Sequence, residues 1–222
     1  MRFAYVATLV AAIASSPAHA RSDVVKFEGV QERCVQAGSI KFGPGTRWAS
    51  CRVTKGRWFV TMGFLDFYQA QYCLGKDDGI CEQRAIVVFA NRAYKPDAQI
   101  VLQRLDAGAT EYDDPLVVQT PYGDIMTVTG RAPDGAEARS YYGWRAGRWI
   151  PIDATAWVRE VAKRLPQGAS LASRAIWPDL DTMSAHATVT GAGDAGREVA
   201  EIRLGLAKER FIVKNITLGP KG

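Results

Sequence analysis

Histidine is almost missing from this chain, and so are other signatures on which much enzyme chemistry depends. The sequence has 2 histidines, and His19 falls in the apolar N-terminal segment, so His186 alone remains once that segment is removed. It contains no CxxC pair, no GxSxG turn and no lysine-bearing phosphate loop. One histidine cannot build a multi-histidine zinc site, and the missing motifs argue against thiol redox chemistry, a GxSxG nucleophile and nucleotide binding. We predict no cofactor and no metal.

Blocks of like charge are also lacking, as are long apolar runs after residue 20. Residues 1–20 contain Arg2 and no acid, so the remaining 202 residues carry 27 basic and 23 acidic side chains and a net charge of +4. These charges are interspersed, which is typical of a solvated surface and argues against nucleic-acid binding. No later apolar segment approaches the length of a membrane-spanning helix, which is about 20 residues. We expect a soluble product without a membrane span.

The N-terminal segment is typical of a secretory signal peptide. Arg2 provides a short basic start, and residues 3–14 form an apolar stretch too short to span a bilayer. Ala18-His19-Ala20 has the small-x-small pattern that signal peptidase cleaves. We therefore predict cleavage after Ala20 and a mature chain, 21–222, that is periplasmic or secreted.

Four cysteines remain in the mature chain: Cys34, Cys51, Cys73 and Cys81. An even number in an exported protein indicates two disulfides, for which three pairings exist. We favour Cys34–Cys51 and Cys73–Cys81, because each pair closes a local loop that contains glycine. KGRWFV (55–60) weakly resembles AGRWIP (146–151), which suggests a boundary near residues 106–115, with all four cysteines on its N-terminal side. Whether the mature chain is one domain or two subdomains, 21–110 and 111–222, stays open.

The clearest local structure in the sequence is a β-hairpin. Small or aromatic residues alternate through 140–145, the period of a half-buried strand. Ala146-Gly147 permits a chain reversal, and 149–152 continues as the return strand. Pro151 has no N–H to donate, so this strand should lie at a sheet edge or end there.

An amphipathic helix over about 154–165 is predicted to follow this hairpin. Asp153 occupies the position of its N-cap. Apolar residues then recur at helical spacing until Pro166 and Gly168 end the pattern.

Short alternating or apolar runs between glycine and proline turns predict strands through most of the remaining chain. Asp66 and Gln69 have the spacing of a capping box, which predicts a short helix over about 67–73. The acids of 109–115 are interpreted as a solvated loop, and 200–218 as a hairpin. The predicted fold class is therefore α+β and β-rich, mostly antiparallel strands and hairpins.

Three residues are compatible with acid–base chemistry: Asp179, Asp181 and His186. In an extended segment the two carboxylates would lie on the same side, beside Trp177. The alternative is a turn in which Pro178 and Asp179 start a bend, Asp181 caps a helical turn and His186 is a structural or exposed strand residue. The pattern favours the turn, so we assign no catalytic residue and keep the three only as weak candidates.

Aromatic residues are concentrated in the same part of the chain and would suit stacking on a sugar or a peptide. Strand alternation, however, sends Tyr141 and Trp144 to opposite faces, so at most one row is exposed. We predict that most of them are core. The set comprises Tyr141, Tyr142, Trp144, Trp149, Trp157 and Trp177.

The pattern AGRWIPIDATAW…RLPQG…IWPDLDTMSA, preceded by FYQAQYC, resembles a family of uncharacterised exported proteobacterial proteins. The resemblance covers most of the mature chain. It implies a Gram-negative periplasmic setting, and it implies no site residues because no activity is established for that family.

The sequence thus favours a non-catalytic binding or envelope-associated module whose partner is a protein or a small molecule. Two alternatives stay open. One is a periplasmic hydrolase that uses Asp179, Asp181 and His186. The other is an inhibitor or accessory subunit that docks through the strand edge at Pro151.

Overall fold

The structure, a computed structural model, describes residues 24–26, 50–75, 81–92, 97–107, 111–173, 176–191 and 197–220. Its elements are β1 (Val24–Lys26), β2 (Ser50–Met62), β3 (Leu65–Gly75), β4 (Gln83–Arg92), β5 (Asp97–Ala107), β6 (Glu111–Tyr112), β7 (Leu116–Thr120), β8 (Gly123–Arg131), β9 (Glu137–Arg145), β10 (Arg148–Ile152), α1 (Ala156–Arg164), β11 (Ser170–Leu171), β12 (Ser184–Thr190), β13 (Arg197–Ala207) and β14 (Arg210–Pro220). The β-rich, antiparallel prediction is confirmed. In these ranges no helix has the length and apolarity needed to cross a bilayer.

The strands form three antiparallel sheets. The N-terminal sheet has the order β1-β5-β4-β3-β2, and the C-terminal sheet has the order β11-β12-β13-β14. Between them in sequence, the middle sheet has the order β10-β9-β8-β6, with β7 also pairing with β8.

The middle sheet shares a core with each of the other two sheets, because successive side chains of a strand point to opposite faces. On one face, Met126, Tyr142 and Trp149 join a cluster with residues of the N-terminal sheet. On the other face, Ile125 and Tyr141 join a cluster with α1 and the C-terminal sheet.

The helix predicted over about 67–73 is wrong, because these residues belong to β3. This strand is an interior strand of its sheet and pairs with β2 on one side and β4 on the other. Gln69, which was assigned to a capping box, and Gln71 are both buried in the strand. Their amides are satisfied by hydrogen bonds, which removes the main cost of burying them.

The predicted hairpin is confirmed as β9 and β10. Ala146 and Gly147 both have positive φ, 47° and 78°, as a two-residue turn of this hand requires. Pro151 lies in β10, the edge strand of the middle sheet. It stands opposite Tyr142, at a position where the backbone N–H would point away from β9, so the ladder loses no hydrogen bond.

The predicted amphipathic helix is confirmed as α1, with Trp157 and Val161 buried. Its N-terminus differs in detail from the prediction, because Thr155 occupies the N-cap position and makes no side-chain cap. Asp153 still satisfies the first turn, since its Oδ1 accepts the N–H groups of Thr155 and Ala156 at 2.8 and 3.1 Å. The Thr155 hydrogen bonds, above all the one from its backbone, lower the pKa of Asp153.

Cys73 and Cys81 lie at disulfide distance, with Cα atoms 5.2 Å apart, which agrees with the predicted pair. The Cys34–Cys51 pair and the signal peptide 1–20 involve residues outside those that the structure describes. The suggested domain boundary, 106–115, includes the end of β5 and all of β6, and it stays a prediction.

Candidate functional site

A cleft of about 270 Å³ lies between the middle sheet and the tip of the C-terminal hairpin. Three segments that are distant in sequence provide its walls: the β7–β8 turn, the β9–β10 hairpin, and the end of β13 with its turn. The lining residues are Tyr122, Gly143, Arg145, Ile150, Ile152, Leu206, Lys208 and Glu209.

Part of this space exists because Gly143 has no side chain. Gly143 is a buried residue of β9 and stands directly opposite Ile150 across the β9–β10 pair. A Cβ atom at this position would lie 3.6 Å from Ile152 Cδ1, an ordinary packing distance. An alanine would therefore fit at this position, and glycine weakens a strand interior. The gap that Gly143 leaves is part of the cleft.

Arg145 is held in place at the mouth of the cleft by two main-chain carbonyls. Its Nη1 donates to the carbonyl of Trp144 at 2.8 Å, and its Nη2 donates to the carbonyl of Tyr122 at 2.9 Å. A guanidinium has five N–H groups. Within the described residues two of them are used by these bonds, which leaves three for water or a ligand. The result is an oriented cation whose charge neither carbonyl neutralises.

Lys208 and Glu209 form the turn between β13 and β14, and both have left-handed backbone conformations. Their φ angles are 47° and 58°. This turn favours asparagine and glycine, because other L residues are strained there. Neither side chain forms a salt bridge within the described residues, so local pairing does not explain why lysine and glutamate occupy these positions.

The hairpin tip is fixed to the middle sheet by main-chain hydrogen bonds. The N–H of Asp153 donates to the carbonyl of Glu209 at 2.8 Å, and the N–H of Phe211 donates to the carbonyl of Asp153 at 3.1 Å. These bonds join the end of β10 to the start of β14, next to the cleft. The two walls are therefore parts of one hydrogen-bonded framework.

Tyr122 closes a third side of the cleft by approaching the backbone of β13. A Cβ atom on Gly205 would lie 3.1 Å from the Tyr122 hydroxyl and 2.5 Å from Lys214 Cε. Glycine at this position lets the tyrosine and the lysine stem lie against the strand without a clash.

The cleft combines an aliphatic wall with polar groups of mixed charge. Ile150, Ile152 and Leu206 provide the apolar surface, while two cations and one carboxylate provide the charge. Serine, threonine, cysteine and histidine do not occur among the residues that line it. These groups suit the binding of a small molecule better than nucleophilic or histidine-based catalysis.

A second polar region lies at the edge of the core that the N-terminal and middle sheets share. Gln71 Nε2 donates to Gln69 Oε1 at 3.1 Å and to the carbonyl of Tyr112 at 3.0 Å. Gln69 Nε2 in turn donates to Asp114 Oδ1. Asp114 also pairs with Lys55 Nζ at 2.6 Å and with Arg57, although its side chain is only 28% exposed.

The acids of 109–115 were predicted to be solvated, and for Asp114 this is wrong. The sequence does not show that Lys55 and Arg57, on β2, face this aspartate. Partial burial, reinforced by the nearby Arg57 charge, lowers the pKa of Lys55. The contacts of Asp114 are all to groups of the fold itself, so we interpret this region as a structural connection between the two sheets.

The structure places Asp179 and Asp181 in a turn. Asp179 Oδ1 accepts the N–H groups of Asp181 and Thr182 at 2.9 and 3.3 Å. The backbone of Asp179 is bridged to Ser184 by two hydrogen bonds, at 2.7 and 3.1 Å. This is the turn that the sequence favoured, except that Asp179 and not Asp181 supplies the capping carboxylate.

His186 lies on β12, opposite Glu201 of β13, and is exposed. Because successive side chains of a strand point to opposite faces, His186 lies on the face opposite to Ala185 and Ala187, which are buried in the core. None of the three candidates, Asp179, Asp181 and His186, lines the cleft.

The prediction that most of the aromatic residues are core is confirmed for the buried Tyr141, Tyr142, Trp149 and Trp157. Tyr141 and Trp144 belong to different core clusters, on opposite faces of β9. The Tyr141 ring packs edge-on against Phe211, with the ring centroids 5.3 Å apart. Trp177 is half-buried and lies under the guanidinium of Arg139, 5.7 Å from the ring centroid.

None of the residues that line the cleft was predicted from the sequence to be a site residue. Two weak signals were present: a glycine inside an otherwise regular strand, and a lysine–glutamate pair in a two-residue hairpin turn. Neither signal identifies a site until the structure brings the two hairpins together.

Comparison of the chain with family models, with curated proteins and with solved structures gave no match in any of the three.

Proposed function

We propose that this chain is a non-catalytic binding module and that the cleft beside Gly143 is its ligand site. The observation that supports this most directly is the cleft itself, a recess with an aliphatic wall, charged groups at its rim and an oriented arginine at its mouth. Small-molecule sites combine apolar side chains with placed polar groups in this way.

A comparison of masses under native conditions tests this proposal. The wild-type protein and a Leu206→Trp variant, which fills the cleft, would both be purified from the periplasm of the original host. We expect an additional small-molecule mass on the wild type that is absent from the variant. A matched variant, Trp58→Leu, changes an exposed side chain away from the cleft and should keep the additional mass. Identical masses for the wild type and Leu206→Trp would contradict the proposal.

Export remains part of the proposal. The basic start, the apolar stretch and the Ala18-His19-Ala20 pattern favour a periplasmic or secreted protein, and the Cys73–Cys81 pair suits an oxidising compartment. The resemblance to exported proteobacterial proteins is consistent with the same setting. N-terminal sequencing of the protein from the periplasmic fraction should begin at Arg21, and a chain that retains residues 1–20 would contradict export.

The hydrolase alternative predicts a different set of sensitive residues. It requires Asp179, Asp181 and His186 to act together, whereas Asp179 is engaged in a turn and His186 lies on an exposed sheet face. Under the proposal, Asp179→Asn and His186→Ala should keep the small-molecule mass found on the wild type. Turnover that these two variants abolish without unfolding would favour the hydrolase instead.

The strand-docking alternative depends on the free edge of β10. That edge includes Pro151, which offers no N–H to an added strand. A docking partner should co-elute with the wild type and be lost when this edge is blocked.

A further inference from the structure

We infer that the cleft takes a small organic monoanion with an aliphatic body, such as a short-chain carboxylate. This inference rests on the proposed function and names the class of its ligand. The anionic head would lie against Arg145 and Lys208, and the aliphatic body against Ile150, Ile152 and Leu206.

The charge of the lining selects an anion. Of the eight lining residues, two carry cationic side chains and one, Glu209, carries an anionic side chain. Arg145 is oriented by the carbonyls of Tyr122 and Trp144, and its remaining N–H groups suit the two oxygens of a carboxylate. One acid beside two cations leaves a net charge of +1, which matches a single negative charge on the ligand.

The size and shape of the cleft select a small body. A volume of about 270 Å³ lies just below the roughly 300–1,000 Å³ that drug-sized ligands occupy. The apolar surface consists of three branched aliphatic side chains, which suits an alkyl chain. The space above Gly143 is the part of the cleft that an alkyl chain would fill.

The turn at the rim supports the assignment independently. Lys208 and Glu209 keep left-handed backbones that asparagine and glycine would adopt with less strain. Residues held in such conformations are concentrated at binding sites, where the side chain has a use that offsets the strain. Here Lys208 has no salt-bridge partner within the described residues, and a bound anion would provide one.

A titration followed by NMR tests the inference with three probes that share one body and differ in charge: hexanoate, 1-hexanol and hexylammonium. The isotope-labelled mature protein would be titrated with each probe. We expect hexanoate to shift the amide signals of Gly143, Ile150 and Lys208, and to bind at least about tenfold more tightly than hexanol. Hexylammonium should bind more weakly still, because the net positive charge of the lining repels it.

A variant identifies the part of the ligand that Lys208 contacts. Lys208→Asn suits the left-handed turn better than lysine, so the protein should fold at least as well. We expect it to weaken hexanoate binding about fivefold and to leave hexanol binding unchanged. Lys163→Asn, which removes an exposed lysine from the last turn of α1, should change neither.

The outcomes separate this inference from the proposed function. If hexanol or hexylammonium binds the cleft as tightly as hexanoate, the ligand class is wrong while the cleft remains a binding site. If Lys208→Asn weakens hexanol as much as hexanoate, the role of the charge is wrong. If none of the three probes shifts the signals of the cleft residues, both the inference and the proposed function are overturned.

Discussion

The two faces of the β9–β10 hairpin differ in how completely they are packed. On the face toward the N-terminal sheet, Trp144 stands opposite Trp149 with ring centroids 5.1 Å apart, and both rings contact Phe67. On the face toward the C-terminal sheet, Gly143 stands opposite Ile150 and a cleft remains. The same two strands thus have a filled face and a second face, here called the open face, that is packed at Tyr141 and Ile152 but open at Gly143.

This difference shows that the cleft does not result from a lack of apolar residues. The hairpin supplies large rings wherever the core must be filled, and it places its smallest residue where the cleft opens. The filled face therefore contributes only to the fold, whereas the open face also contains the cleft in which we propose that a ligand binds. The following experiments test that division.

The largest loss of stability is expected on the filled face. Trp149 is only 3% exposed and packs against Phe67 and Trp144, so Trp149→Ala leaves a large cavity. We expect the free energy of unfolding to fall by about 3–5 kcal/mol in chemical denaturation. Trp58→Ala, at a tryptophan that is 51% exposed, is the control and should cost below about 1 kcal/mol. Equal losses would contradict the filled core.

The polar edge of the filled face should come next. Asp114→Ala removes the acceptor of the buried Gln69 amide together with two ion-pair contacts, and we expect a loss of about 1–3 kcal/mol. Its neighbour Asp113 pairs with Arg131 at the surface, 46% exposed, so Asp113→Ala should cost about 0–1 kcal/mol. Thermal unfolding of the two variants measures the difference between their losses of stability. A larger loss for Asp113→Ala than for Asp114→Ala would show that the connection between the sheets is not at Asp114.

At the rim of the open face, substitution should stabilise the protein. The double variant Lys208→Asn, Glu209→Gly relieves two left-handed residues, and we expect it to raise the free energy of unfolding by about 1–2 kcal/mol. The same variant should bind hexanoate more weakly than the wild type. A gain in stability without a loss of binding would show that the turn plays no part in the site.

The start of α1, beside the open face, should depend on pH through Asp153. Folding lowers the pKa of this carboxyl below its ordinary value of 3.8, so its contribution is fully present above that value and is lost as the pH falls through the depressed one. At pH 7, Asp153→Ala should cost about 1 kcal/mol. The difference between variant and wild type should shrink in unfolding experiments below pH 3.8, and a difference that grows there would reverse the assigned sign.

The smallest effect is expected at Gly143 itself. A methyl group fits at 3.6 Å from Ile152, so Gly143→Ala should raise stability by about 0.5 kcal/mol while reducing hexanoate binding. Gly219→Ala is the control, because its Cβ would meet nothing within 4 Å. The control should leave hexanoate binding unchanged. A loss of stability at Gly143 would instead assign this glycine a structural role.

Local patterns in the sequence predicted those elements whose physics is local. Ala146-Gly147 specified its turn because both residues must accept positive φ, and the apolar spacing after Asp153 specified α1. The helix at 67–73 failed because Asp66 and Gln69 imitate a capping box, while the true environment of Gln69 depends on Asp114, which is 45 residues away.

The cleft could not be predicted, because its walls meet only through long-range pairing. The Asp153–Arg210 bridge brings the end of β10 beside the start of β14, and no local pattern specifies that contact. The sequence predicts that Lys208 and Glu209 lie between two strands. It does not predict their left-handed backbones, because lysine and glutamate usually avoid that conformation.

The two hydrogen bonds that join Asp153 to Glu209 and Phe211 also have a consequence for rates. They join the cleft walls, so under the proposed function a ligand would enter a space that already exists, and we expect no slow rearrangement before binding. Association should then have one rate constant across related carboxylates, set by diffusion and by the positive charge at the mouth. Discrimination between these compounds should reside in how long each one stays bound.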